Sequence, residues 1–229
     1  MKYLQVLREK QVDGIIFSSE VLKEEYYEAL KSMDVPVVLV ATHSEYKSVP
    51  YVKVDDWKAS YEATEYLIHQ GHRHIAMLGG NEGDAIAGKP RIDGYKQALL
   101  DNGIVLRDEL VFDGCFQFDC ATAAAEKLLL TVPEVTAVFA ASDEMAIALI
   151  SVAAKHGISV PDQISVIGYD NLKLAKMSNP PLTTVAQPLY KMGKLAAYKL
   201  ISMITSKERV VSEIVPHEII ERNTVKRLI

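Results

Sequence analysis

Short runs of β-branched and apolar residues alternate along this chain with longer stretches of helical period, and few folds accept that rhythm. Residues 12–18, 35–40, 51–54, 75–79, 111–112, 137–141, 164–168, 183–185 and 211–220 read as strands. Between them, residues 1–8, 22–33, 55–70, 90–102, 119–130 and 143–156, and a segment opened by Pro188, read as helices. Asp55 or Asp56 and Asp119 are candidate N-caps, and Gly71, Gly103 and Gly157 stand where helices should stop. Apolar strands separated by helices imply parallel sheets covered on both faces, with right-handed crossovers. In such sheets ligands lie beyond the carboxyl ends of the strands. That rule selects the loops 41–46, 80–89, 114–119, 142–143 and 169–171, and Gln187.

Composition narrows the partners. The 229 residues suffice for one large domain or two modest ones, and 49% hydrophobic content supports a packed core. A net charge of −5, without a basic stripe, argues against gripping nucleic acid by this surface alone. Cys115 and Cys120 fit no zinc spacing and are too few for a disulfide scaffold, so free thiols in a reducing cytoplasm are expected. The amino-terminal segment lacks the apolar core of a signal peptide, and Asp143 and Glu144 interrupt the most apolar stretch. No membrane partner is expected.

Several motifs invite chemistry and then fail a physical requirement. Gly83 to Lys89 fits the first seven places of a phosphate-cradling loop, but Pro90 occupies the place where a hydroxyl should hold magnesium. His69, His72 and His74 cluster without a carboxylate or thiolate to complete a metal set. No nucleophile elbow or nucleophile–base pair is visible. The chain therefore reads as a non-enzyme with no catalytic residue, no metal and no cofactor.

The loop residues are more informative. Ser142 and Asp143 follow a strand and open a helix, so they are either caps or ligand contacts. Asp170 is either an Asx-turn residue or a ligand contact. Arg91 sits at a helix start, where a cation opposes the dipole, and so calls for a carboxylate or ligand-oxygen partner. Phe116 lies in the polar loop GCFQFD as a loop anchor or an apolar platform. A flat apolar face among bidentate polar groups suits a small polyhydroxylated molecule.

The ordered runs Ala141–Ser142–Asp143–Glu144–Met145–Ala146, residues 156–171 (HGISVPDQISVIGYDN) and residues 181–188 (PLTTVAQP) resemble the carboxyl-terminal half of LacI-family transcriptional regulators. Residues 12–16 (VDGII), 35–38 (VPVV), 71–76 (GHRHIA) and 91–95 (RIDGY) extend the resemblance over essentially the whole chain. It implies two Rossmann-like α/β lobes with parallel sheets, like periplasmic binding proteins, and an effector in the cleft between them. The expected lobes are residues 1–56 with 187–212, and 57–186 with 213–229. The resemblance carries effector contacts onto Arg91, Phe116, Ser142, Asp143, Asp170 and Gln187. It also implies a cytoplasmic, homodimeric repressor that senses a sugar or related metabolite and reaches operator DNA through a helix-turn-helix head.

Two departures stand out. Ala41–Thr42–His43 replaces an acidic contact common after the second strand, and the chain starts beyond the family's head and its first strand–helix–strand unit. The first lobe should then be incomplete, leaving the strand at 12–17 as an edge that is covered by a partner or distorted. A sugar-binding protein of a transport system is the alternative, and the regulator-like run 187–194 weighs against it.

Overall fold

The computed structural model describes residues 2–18, 21–206 and 209–228. The chain divides into two compact units, Met1–Val54 with Pro188–Pro216, and Asp55–Gln187 with His217–Ile229.

The first unit holds a four-stranded parallel sheet in the order β1 (Ile15–Ser18), β2 (Val37–Val40), β3 (Tyr51–Lys53), β9 (Glu213–Ile214). Strand alternation puts Ile15, Val37 and Leu39 into one cluster with Leu4 of α1 (Lys2–Glu9) and Leu30 of α2 (Glu24–Ser32). Val38 points the other way and is also fully buried, so both faces of β2 are covered. Helix α8 (Leu189–Thr205) packs against β1, β2 and β3. Among the described residues, strand β1 pairs with β2 alone and stands at the end of this sheet, with Ile16 43% exposed.

The second unit holds a six-stranded sheet in the order β10 (Glu218–Ile220), β8 (Thr183–Ala186), β7 (Ser165–Asp170), β6 (Ala137–Ala140), β4 (Ile75–Gly79), β5 (Val111–Asp113). Every pairing is parallel except β10 with β8, so the sheet carries one antiparallel edge strand. The central strands β4 and β6 are buried throughout, as unbroken apolar runs require. The layers over this sheet are α3 (Asp56–His69), α4 (Gly88–Asp101), α5 (Phe118–Thr131), α6 (Asp143–Lys155) and the short α7 (Lys173–Met177). Gly71, Gly103 and Gly157 each follow a helix end with positive φ, as the stop signals anticipated.

Three local expectations need correction. The single strand read over 211–220 is two strands in different sheets. Glu213 and Ile214 pair with Val52 and Lys53, Val215 N–H donates to Lys53 O, and β10 starts only after Pro216. Residues 213–216 therefore belong to the first unit, not the second. Helix α5 is not capped by Asp119. Its N-cap is Gln117, and the Phe118 N–H donates to Glu144 of α6 at 3.1 Å. Cys115 and Cys120 are not free thiols but a disulfide across a Cα–Cα distance of 6.0 Å. Left-handed backbone at Cys115 and Phe116 turns the loop back toward the first turn of α5, which a one-dimensional spacing rule does not capture.

Candidate functional site

The carboxyl ends of β4, β5, β6, β7 and β8 place the expected residues of the second unit. Arg91 lies in the first turn of α4 and is buried. Its Nε and Nη2 donate to Asp56 Oδ1 at 3.0 and 2.8 Å, and its Nη1 donates to Ala141 O at 2.6 Å. The guanidinium carbon stands 3.7 Å from the Tyr169 ring centroid and 5.7 Å from that of Phe116. Tyr169 donates its hydroxyl to Asp56 Oδ1 at 3.2 Å. The cation at a helix start thus has the carboxylate partner its position demanded. Burial pulls the Arg91 pKa down, but Tyr169, Asp56 and Asp170 outweigh it and raise the net value.

Asp170 ends β7 with φ +111°, and Asn171 follows at φ +57°. Such backbone is costly for residues with a Cβ and persists only where its surroundings impose it. Asp170 Oδ1 accepts from Gln187 Nε2 at 2.7 Å. Arg222 fixes the next residue by donating from Nη2 to Asn171 Oδ1 at 2.6 Å, and from Nη1 to Leu182 O at 2.6 Å. Burial raises the Asp170 pKa, against the pull of Arg91 and Gln187.

Ser142 and Asp143 stand somewhat apart. Ser142 is the N-cap of α6 and accepts from Met145 N–H at 3.2 Å. Asp143 is fully buried, with Oδ1 accepting from Thr184 Oγ1 at 2.5 Å and Oδ2 from Leu172 N–H at 2.7 Å. Burial lifts its pKa to about 6, despite both hydrogen bonds and Arg222. With each oxygen engaged, Asp143 holds the loop after Asp170 in place.

The structure therefore gathers Arg91, Phe116, Asp170 and Gln187 around one charged and aromatic centre, with Ser142 and Asp143 bracing it. Two members escaped the sequence reading as site residues. Asp56 was grouped with Asp55 as a cap, but Asp55 alone caps α3, accepting from Lys58 N–H at 3.0 Å. Tyr169 falls in the selected loop 169–171 without being singled out there, and the structure places it inside β7. The doubled aspartate was the available signal, because one cap position needs only one carboxylate.

The discarded motifs are explained as well. In the 80–89 loop the Asp84 carboxylate accepts from the amides of Ile86, Ala87 and Gly88 at 2.8, 3.4 and 3.1 Å. A carboxylate already fills the amide cradle that a phosphate would need. His72 Nε2 donates to Lys226 O at 3.1 Å and its Nδ1 accepts from Thr136 Oγ1 at 2.9 Å, as a neutral tautomer facing that carbonyl must. Among the described residues, no group of three or more His, Cys, Asp or Glu could hold a metal ion. No helix among them is long and apolar enough to cross a membrane.

The family model for a periplasmic binding protein-like domain matches residues 64–225. Catabolite control protein A of Priestia megaterium is 40% identical over 219 residues, covering 95% of this chain and 66% of that protein. The HTH-type transcriptional repressor PurR of Vibrio atlanticus is 41% identical over 229 residues, covering 99% of this chain and 68% of the repressor. The chain belongs to the LacI family of transcriptional regulators. It corresponds to the effector-binding, periplasmic-binding-protein-like region of that family and spans about two thirds of the length of these relatives. A LacI-family regulator from Enterococcus faecium with bound ribose superposes with a TM-score of 0.90 at 28% identity, covering 99% of this chain and 84% of that one. The relatives are transcriptional regulators rather than enzymes.

Proposed function

We propose that this chain is the sensing region of a cytoplasmic, homodimeric transcriptional repressor, and that its effector is a neutral sugar. Operator DNA would be read by a helix-turn-helix outside these 229 residues. The observation that carries the reading is the buried Arg91 guanidinium, stacked on Tyr169, held by Asp56 and flanked by Phe116 and Asp170. Flat apolar faces beside fixed charged donors and acceptors match a ring with hydroxyls on its rim. The charges also argue for neutrality. Asp56 and Asp170 already face the one arginine of this centre, so an added phosphate or carboxylate would meet negative charge there. The E. faecium regulator, with its bound ribose, is consistent with this chemistry.

Arg91, Phe116, Asp170 and Gln187 are the proposed effector contacts; Ser142, Asp143, Asp56 and Tyr169 position them. The two lobes take the boundaries 54/55, 187/188 and 216/217. A ligand that binds only the folded state raises its melting temperature. Thermal-shift titration with neutral sugars, their phosphates and purine bases should give a rise with a neutral sugar, abolished by Asp170→Ala. A rise that survives Asp170→Ala, or that only phosphates produce, rejects this site. The chain by itself should leave operator DNA unshifted in a gel.

A further inference from the structure

The disulfide lies beside the aromatic wall of this site, and the sensing function assigns it no role. Cys115 directly precedes Phe116, and Cys120 lies in the first turn of α5. Both Cys115 and Phe116 have φ +54°, so two adjacent residues with side chains are held in the left-handed region. Most of the hydrogen bonds on residues 114–117 reach only a few positions along the chain. Gly114 N–H donates to Gly79 O at 2.9 Å, Cys115 N–H to Asp113 Oδ1 at 2.8 Å, and Gln117 N–H to Gly114 O at 3.1 Å. Phe116 meanwhile interlocks with the neighbouring loop. A Cβ on Gly80 would come 2.0 Å from its ring, so the ring rests directly on that backbone. The Arg91 guanidinium is 5.7 Å from the same ring. Cys115 is exposed and Cys120 half-buried, so small thiols and peroxide can reach the pair.

We propose that Cys115 and Cys120 form a reversible redox site that sets the position of Phe116 and thereby the affinity of the effector site. Two low-molecular-weight thiols reduce the bond, delivering two electrons and two protons to give two cysteine thiols and one external disulfide. Hydrogen peroxide reverses the step: two thiols and one peroxide yield the disulfide and two waters. With the bond open, Cys115 and Phe116 relax toward ordinary backbone and the ring leaves Gly80. The effect on affinity rests on Phe116 being an effector contact. The coupling from the cysteines to Gly80 does not.

The experiment separates these layers on the full chain. Iodoacetamide labelling followed by mass spectrometry should find no adduct after peroxide and two after dithiothreitol. Hydrogen exchange should then quicken on reduction both in residues 114–118 and in residues 80–84, where Gly83 and Asp84 N–H groups bond back to Asn81. Cys115→Ser/Cys120→Ser should match the reduced protein in either buffer. Calorimetric titration with D-ribose should show affinity at least tenfold weaker after reduction. Labelling that reaches two adducts in peroxide overturns the proposal, as does faster exchange confined to 114–118, which marks a local staple. Equal ribose affinity in both states also overturns it. If ribose binds in neither state, ribose is excluded as the effector, and the exchange at 80–84 still decides the redox site.

Discussion

At the residue scale, the Arg91–Asp56 pair is the most exposed to test. Both side chains are nearly inaccessible, at 7% and 8%, so removing one partner strands a charge away from water. Arg91→Ala should cost about 3–5 kcal/mol in urea unfolding. Arg91→Met with Asp56→Leu should recover most of that loss while sugar binding stays absent, which separates stability from recognition. Asp143 gives a pH signature. Its folded pKa of about 6 lies above the ordinary 3.8, so the folded state binds the proton more tightly. Stability from this group is therefore full below 3.8 and is lost as pH rises through about 6. Asp143→Asn keeps an acceptor for Leu172 N–H and a polar partner for Thr184. Relative to the wild type, the variant should gain up to ~3 kcal/mol between pH 4 and pH 7.5. His72 acts with the opposite sign. Burial lowers its pKa below 6.5, so its stabilisation is present above 6.5 and fades as pH falls. Comparing the Asp143 variant with wild type at each pH cancels that contribution. Arg91 announced its partner through the helix dipole, whereas Tyr169 did not, because its stacking partner arrives from another part of the chain.

At the scale of elements, the glycine of β7 and the edge of the first sheet carry predictions. A Cβ on Gly168 would come 2.6 Å from Asp143 Oδ1 and 2.8 Å from Leu182 Cδ2. Gly168→Ala should thus cost about 1–3 kcal/mol, measured by chemical denaturation. Strand β1 is the terminal strand in the order of its sheet, with Ile16 43% exposed. Ile16→Lys should lower the apparent mass seen by light scattering at high protein concentration, because a charge on an edge discourages strand addition. Strands β4 and β6 were legible because buried parallel strands carry unbroken apolar runs. Helix α7 was not: it has five residues, only Ala175 is buried, and the Asp143 carboxylate holding the Leu172 amide just before it comes from α6. The split of β9 from β10 was hidden for a related reason, since an apolar run does not reveal which sheet each half joins.

At the scale of the whole molecule, two units of unequal size share three chain crossings. Calorimetry should resolve two transitions, and a bound sugar should raise the one belonging to the six-stranded unit that holds Arg91 and Asp170. A single transition unaffected by any sugar would contradict both the division and the site. The α/β class, the order of most elements and the loops that bear the site follow from local pattern alone, because hydrophobic period and stop residues act within a few positions. The ordered motifs also reach the LacI family without coordinates. Tertiary structure alone decided the rest: the Asp56–Arg91–Tyr169 cluster, the bracing role of Asp143, the Asp84 carboxylate in the amide cradle and the Cys115–Cys120 bond. Each depends on where a backbone turn or a neighbouring helix delivers a group, from a few residues away for Asp84 and Cys120 and from another element for the rest. Burial then fixes which of those meetings is strong, because desolvation makes a buried pair far more consequential than the same pair in water.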